Sequence, residues 1–475
     1  MSESPINGSS SSAKKRKISE NNAEDSTGHS SSSQRVPSKS SSNIFVLNND
    51  CLERIFSLLS LEDQLKISRS NREIERMFRN YAQWKYKHIT EDITDSLEGS
   101  DLEYLMEQVN EHVISYESPF DTSSRDEEEL RLLGMHCPML RRLSMTFSRL
   151  QWEDLNQLKN LHTLDASLEF GSTDDYKKFF LNLSENLPCL RKLVLKAPDY
   201  NGKGLQVLEK LEHLEISDFC DLDAKYIIKC CIKMKNLHFL KIGMFTKNLT
   251  NENLSVIVAN CRNLETFVFF DEKLPNDIEF ERFCELPRLK HLIMDLQRLE
   301  RPGLIEGLVR RTGTPLESLI LFGSNLCKEQ IEHICDITSL RELWLGSEDD
   351  DINVEGFTKL KSLEYLHLRM RRITNKQLLE LLLGCPRLRV LNVLCTCPNI
   401  NSDFLSLLNR SLKKLKETNR DKISIYLADS SVDWEGNSSF KLDNIQIIKG
   451  SLWEAPILYK RSSILHNNYS DADSF

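Results

Sequence analysis

One hydrophobic phrase recurs along most of this chain. Apolar residues at positions one, four and six return eleven times, from Leu140, Leu143 and Met145 to Leu388, Leu391 and Val393. Between them come Leu161/Leu164/Ala166, Leu190/Leu193/Leu195, Leu211/Leu214/Ile216, Leu237/Leu240/Ile242 and Leu264/Phe267/Phe269. Leu289/Leu292/Met294, Leu316/Leu319/Leu321, Leu340/Leu343/Leu345 and Leu363/Leu366/Leu368 complete the series. Successive phrases begin 21 to 29 residues apart. The last two apolar positions are two apart, so they share one face of a short strand while the residue between them points the other way. The segments between phrases read mostly as helices. Asn375 to Leu383 is an apolar-rich run stopped by Gly384, Cys385 and Pro386, and Asp221 to Met234 and Asn251 to Cys261 follow the same plan.

Phrase and period are those of a leucine-rich repeat, with one strand and one helix per turn. No single strand buries its apolar face alone, so successive units must stack into a continuous ladder. The expected fold is therefore α/β: a leucine-rich-repeat solenoid over 140–430, curved into a horseshoe because the helical layer is wider than the strand layer.

The remaining segments differ in composition. Residues 1–43 contain 16 serines and few apolar residues, which predicts a disordered tail. Within it, Lys14, Lys15, Arg16 and Lys17 form a basic cluster of the kind used for nuclear import, or simply solvated charge. Residues 44–89 read as three short helices, an all-α module. Asn49 or Asp50 caps the first, whose apolar residues Leu52, Ile55, Phe56 and Leu59 follow helical spacing. Ser60 with Asp63 reads as a capping box for the second, and Ile74, Met77, Phe78 and Tyr81 line the third. Residues 90–139 form an acidic connector that caps the apolar end of the stack, with a degenerate strand near 112–116. Ile423 to Ile425 is a twelfth strand, and 431–475 is an irregular tail. One apolar group breaks that tail: Ile445, Ile447, Ile448, Leu452, Trp453, Ile457, Leu458 and Tyr459.

The run from Leu47 to Leu65, with Trp84 closing the module, resembles an F-box, and an F-box followed by leucine-rich repeats resembles the F-box/LRR family. This sequence departs from the family pattern at Leu47-Asn48, where Leu-Pro is usual, and at Arg69 to Arg72. The resemblance implies a substrate receptor of SCF-type ubiquitin ligases, with the F-box docked on a Skp-type adaptor and through it on a cullin. Docking is expected through Leu47, Cys51, Leu52, Ile55, Phe56, Leu59 and Leu65, although packing inside the module is the other reading of Leu52 and Ile55. It also implies a non-catalytic subunit located in the nucleus, the cytoplasm or both.

In a horseshoe the residues alternating with the core ladder form the concave face. They begin polar (Ser144, Asp165) and turn apolar and aromatic at Phe239, Val268, Phe270, Ile293, Ile320, Phe322, Trp344, Tyr365, His367 and Arg369. An exposed apolar patch anchored by Trp, Tyr and Arg marks a protein interface, so these ten are the expected contacts for an unknown substrate protein. The chain's own tail, through the group around Trp453, is the other possible occupant.

Net charge of −9 argues against a nucleic-acid binder, and no apolar run is long enough to span a bilayer. The 13 cysteines are expected to be reduced, and neither Cys230-Cys231 nor Cys395-Thr396-Cys397 finds a second pair at zinc spacing, so no metal or other cofactor is expected. No phosphate-binding loop or nucleophile–base motif appears, which predicts a chain with no chemistry of its own. A scaffold or inhibitor that binds protein without ubiquitination is the alternative.

Overall fold

The computed structural model describes residues 47–118, 126–148, 153–216, 221–242, 247–270, 277–295, 303–322, 326–347, 354–370, 373–394, 400–417, 422–428, 432, 439–442 and 444–449. The chain divides into two compact units, residues 1–51 and 52–475. In the first, the backbone N–H of Cys51 donates to Asn48 Oδ1 at 2.9 Å, so helix α1 (Asn49–Leu58) is capped one residue earlier than its pattern suggests.

The second unit continues α1 into α2 (Leu61–Ser68) and α3 (Arg72–Lys85). Ser60 accepts from the Asp63 N–H as its sequence predicts, and Asn71 does the same for α3 through the Glu73 N–H. Two further helices follow, α4 (Glu91–Asp95) and α5 (Gly99–Val109).

Among the described residues the strands form one sixteen-stranded sheet, with helices and 3-10 turns between them. Its strands begin with β1 (His88–Ile89), β2 (Ser115–Glu117), β3 (Arg142–Phe147), β4 (Thr163–Leu168), β5 (Lys192–Lys196) and β6 (His213–Ile216). Next come β7 (Phe239–Ile242), β8 (Thr266–Phe269), β9 (His291–Asp295), β10 (Ser318–Phe322) and β11 (Glu342–Ser347). The last are β12 (Tyr365–Met370), β13 (Val390–Leu394), β14 (Ile423–Ala428), β15 (Ser439–Leu442) and β16 (Ile445–Ile448). From β1 to β14, and on to β16, every neighbour is the next repeat and every pairing is parallel; only β15 runs antiparallel, against β16. This is the leucine-rich-repeat solenoid. The sheet passes both ends of the expected repeat region: β1 precedes it, and Ile445, Ile447 and Ile448 of the supposed irregular tail form β16. Some connections are 3-10 turns instead of α-helices, as at Glu153–Gln157 and Val354–Lys359.

Register makes the core. Leu143, Leu164, Leu193, Leu214, Leu240, Phe267, Leu292, Leu319, Leu343, Leu366, Leu391, Ile425 and Ile447 are successive in-register partners, and all are buried. Ile89 and Tyr116 extend the same row to the start of the sheet. Residues from Phe56 to Ile447 belong to one hydrophobic cluster, so the helical module and the repeats share a core. Cys137, Cys230, Cys231, Cys261 and Cys385 are buried thiols within it. Burial pushes Cys137 and Cys230 up to about 12. Among the described residues no helix is long and apolar enough to cross a membrane, and no group of His, Cys, Asp or Glu side chains is placed to hold a metal ion.

Because each ladder residue packs only against its own and adjacent turns, truncating one opens a cavity that distant repeats cannot refill. Leu343→Ala should lower unfolding free energy by about 2–5 kcal/mol. Arg369→Ala, on the exposed part of β12, should change it by less than about 0.5 kcal/mol. Urea midpoints of the two variants decide the point, and equal midpoints would contradict this account of the core.

Candidate functional site

Two faces carry the residues singled out from sequence. On the helical module, Phe56 packs edge-on against Phe78 with ring centres 5.6 Å apart and stacks on Tyr81 at 5.5 Å. Leu52 and Leu65 are buried with them. These three are therefore a correction: they form the floor of the module and offer no side-chain surface to an adaptor. The helical stripe of α1 is wider than the strip a partner could touch, and spacing alone does not say which edge faces inward. Ile55 and Leu59 are half-buried, while Leu47 and Cys51 are exposed.

Within the second unit, further large apolar side chains are exposed on the module. Leu58 is 71% exposed and Trp84 53% exposed, and Ile67 is exposed as well. They are three of the nine large hydrophobic side chains left exposed among the described residues, all within positions 58–84. One further residue organises the module. Gln64 Nε2 donates to the carbonyls of Phe56 (2.9 Å) and Leu59 (3.0 Å), satisfying the free end of α1, and Gln64 Oε1 accepts from Tyr86 Oη at 2.8 Å. Burial pushes Tyr86 up to about 12, so it remains a donor. Arg69 joins the module to α5 by pairing with Asp101, donating to the Ser100 carbonyl, and lying 4.4 Å over the Tyr104 ring. Arg79 Nε donates to Gln108 Oε1 at 3.0 Å.

The second face is the side of the sheet opposite the core ladder. Its central row starts half-buried at Ser144, Asp165 and Val194. From Glu215 onward it is buried, through Lys241, Val268, Ile293, Ile320, Trp344, His367 and Asn392. The expected exposed apolar patch is thus corrected: Val268, Phe270, Ile293, Ile320, Trp344 and His367 are closed off from solvent. In-register neighbours pack flank to flank, and the Trp344 and His367 rings stack at 4.8 Å and 14°. Phe239 and Tyr365 are half-buried and Arg369 is exposed. Phe322 lies on β10, but its side chain is outside the described residues, as are Lys14 to Lys17, Leu452 to Tyr459, and the Cys395 and Cys397 pair.

Polar chemistry on this face is concentrated at two points. Near β6, Glu215 accepts from Lys192 (3.0 Å) and bonds His213 Nε2 (2.5 Å), and His213 stacks on Phe239 at 3.9 Å. Burial opposes its charge, but the bonds from His213 and Lys192 outweigh it and hold Glu215 down to about 2. Burial likewise raises Asp165 despite the nearby Lys196 charge. At β12 and β13, Asn392 Nδ2 lies 3.2 Å from His367 Nδ1. Among the described residues, His367 Nε2 and Asn392 Oδ1 have no hydrogen-bond partner. Nothing in either cluster pairs a nucleophile with a base positioned by a third group.

Burial lowers His367 to about 3, so the folded protein holds it neutral. The unfolded chain takes up that proton below about pH 6.5, so its contribution to stability is complete above that pH and falls away down to about 3. Between pH 7 and pH 5 this costs about 2 kcal/mol of unfolding free energy. His367→Gln should remove that part of the pH dependence, whatever its stability at pH 7. Urea titrations at both pH values check it, and an unchanged wild-type slope in the variant would refute it.

No protein-family model and no curated protein matches the chain. Among solved structures, the yeast Rad7–Elc1 complex is similar at 16% identity and a TM-score of 0.41, over 70% of this chain and 92% of that one. The TLR13–ssRNA13 complex is similar at 15% identity and a TM-score of 0.32, over 74% of this chain and 63% of that one.

Proposed function

We propose that this chain is the substrate-recognition subunit of an SCF-type ubiquitin ligase. In this reading the helical module docks on a Skp-type adaptor, which bridges to a cullin, and the repeats hold a substrate protein. The observation that carries it is the set of large apolar side chains left exposed on three short helices whose core is otherwise closed. Leu58, Ile67 and Trp84 keep a large part of their apolar surface open, Trp84 while one side of its ring packs against Tyr81, and exposed apolar groups concentrated on one small module are what a protein interface requires. The F-box-like run from Leu47 to Leu65 supports the same reading.

The ion pair and hydrogen bonds of Arg69 and Arg79, with the shared core, tie the module to the repeats without a free linker. A rigid arm suits a subunit that does no chemistry and acts by holding its substrate near a ubiquitin carrier, where proximity supplies the rate. The substrate contacts in this reading are the accessible members of the expected set, Phe239, Tyr365 and Arg369.

The test is co-purification with a Skp-type adaptor and cullin. Leu58→Asp with Trp84→Ala changes exposed side chains only, and should weaken capture by about tenfold or more if these are interface anchors. Leu181→Asp, at an exposed position on the Thr173–Asn186 helix, should leave capture intact. A folded wild-type chain that captures no adaptor would sink the ligase reading and leave a protein-binding scaffold.

A further inference from the structure

The residue just before each strand forms a row of its own along one edge of the sheet. From Arg141 onward, each of its members donates its backbone N–H to the carbonyl of the preceding one: Arg141 to Ile114, His162 to Arg141, Arg191 to His162, Glu212 to Arg191, and so on to Arg389. From Arg191 the row is rich in matched charge. Arg191 pairs with Glu212 at 3.6 Å, Glu265 with Lys290 at 3.0 Å, and Glu317 with Arg341 at 3.3 Å. Glu364 then sits between Arg341 (2.9 Å) and Arg389 (3.6 Å).

The beginning of the row breaks this rule. Its members there are Lys87, Ile114, Arg141 and His162, with no acid among them. The next residue on β1 and β3 adds His88 and Arg142, which share a register row through Ser115. Among the described residues no carboxylate pairs with Arg141, Arg142, His88 or His162. These four side chains, with Ile114 and Thr163, line a cavity of about 450 Å³. The imidazoles are oriented: His88 Nδ1 bonds Ser115 Oγ at 2.8 Å, and His162 Nδ1 donates to the Asn160 carbonyl at 2.6 Å. In a chain of net charge −9, this is an acid-free basic pocket.

We propose that this pocket binds a phosphate group carried by a partner polypeptide, as phosphoserine or phosphothreonine. A single carboxylate satisfies one guanidinium fork, whereas a phosphate offers three acceptor oxygens and close to two negative charges, enough for both arginines together. The cavity also exceeds a bare anion and leaves room for the side chain that carries it. The proposal rests on the chain's being a protein-binding solenoid, and not on adaptor docking.

The experiment titrates the full chain, at constant ionic strength, with a fluorescent Gly-Gly-pSer-Gly-Gly peptide, its Ser form and its Asp form. The phosphopeptide alone should bind, and inorganic phosphate should displace it. Arg141→Gln with Arg142→Gln should weaken binding by about tenfold or more, since two charge-assisted contacts are lost. Arg389→Gln removes the same kind of charge from the matched part of the row and should change affinity by less than about twofold. The variants alter exposed side chains, and a thermal midpoint matching wild type verifies the fold; His162→Gln gives a second, milder probe. No preference for the phosphorylated form, an equal response to the Asp form, or equal loss in Arg389→Gln would overturn the proposal. So would vesicles of phosphatidylcholine with phosphatidylinositol 4-phosphate that bind through Arg141 and Arg142 while the peptide does not. Adaptor capture is a separate readout, so either reading can fail alone.

Discussion

Parallel pairing without slippage is the constraint on which the rest of this molecule depends. Side chains alternate faces with period two, so a shift of one residue at any pairing would carry a ladder leucine out of the core and a polar neighbour into it. With the register held from β1 through β14, a position in the repeat becomes a row in space. One row is the core, one is the opposite face, and one is the edge just before the strands. A residue's neighbours are therefore its counterparts 21 to 34 positions away, and its chemistry is decided by what the adjoining repeats carry there. The Trp344–His367 stack and the Arg341–Glu364–Arg389 chain of ion pairs are both products of that geometry.

The helical module obeys a different logic. Three short helices enclose too little apolar surface to be stable alone, and small domains are marginal for that reason. Here the deficit is met by fusion: α3 packs on α5, Tyr86 and Ile89 join the solenoid core, and Gln64 ties the end of α1 to Tyr86. The same fusion removes a hinge. A docking surface on these helices would hold whatever it binds at a fixed distance from the sheet.

Periodicity made the strands legible because the phrase repeats with core residues two apart, and helical runs such as Asn375–Gly384 carry both a start and a stop signal. It failed where an element is too short to show a period. β1 has two residues, and β16 lies in a segment where the apolar phrase no longer recurs. It failed also at questions of facing. Leu52, Ile55, Phe56 and Leu59 all fit one helical stripe, yet only the inner edge of that stripe, Leu52 and Phe56, is buried. The closure of Val268, Ile293, Ile320 and Trp344 was invisible for a related reason. Sequence gives each residue's character, whereas burial depends on what the fold packs against it.

Charge on the edge row was readable in principle, since Arg191, Glu212, Glu265, Lys290, Glu317, Arg341, Glu364 and Arg389 all hold the same place in the phrase. What sequence could not supply was adjacency, and adjacency gives the row its meaning. Like charges on directly neighbouring strands repel, so the basic residues gathered at Arg141, Arg142 and His162 raise the energy of the folded state unless counter-charge is near. Later in the sheet that counter-charge is built in as glutamate. At the beginning it is absent, although the chain as a whole has acid in excess. The imbalance is local, it borders a cavity, and a bound anion would relieve it, which is why the mismatch is better read as a site than as an accident of composition.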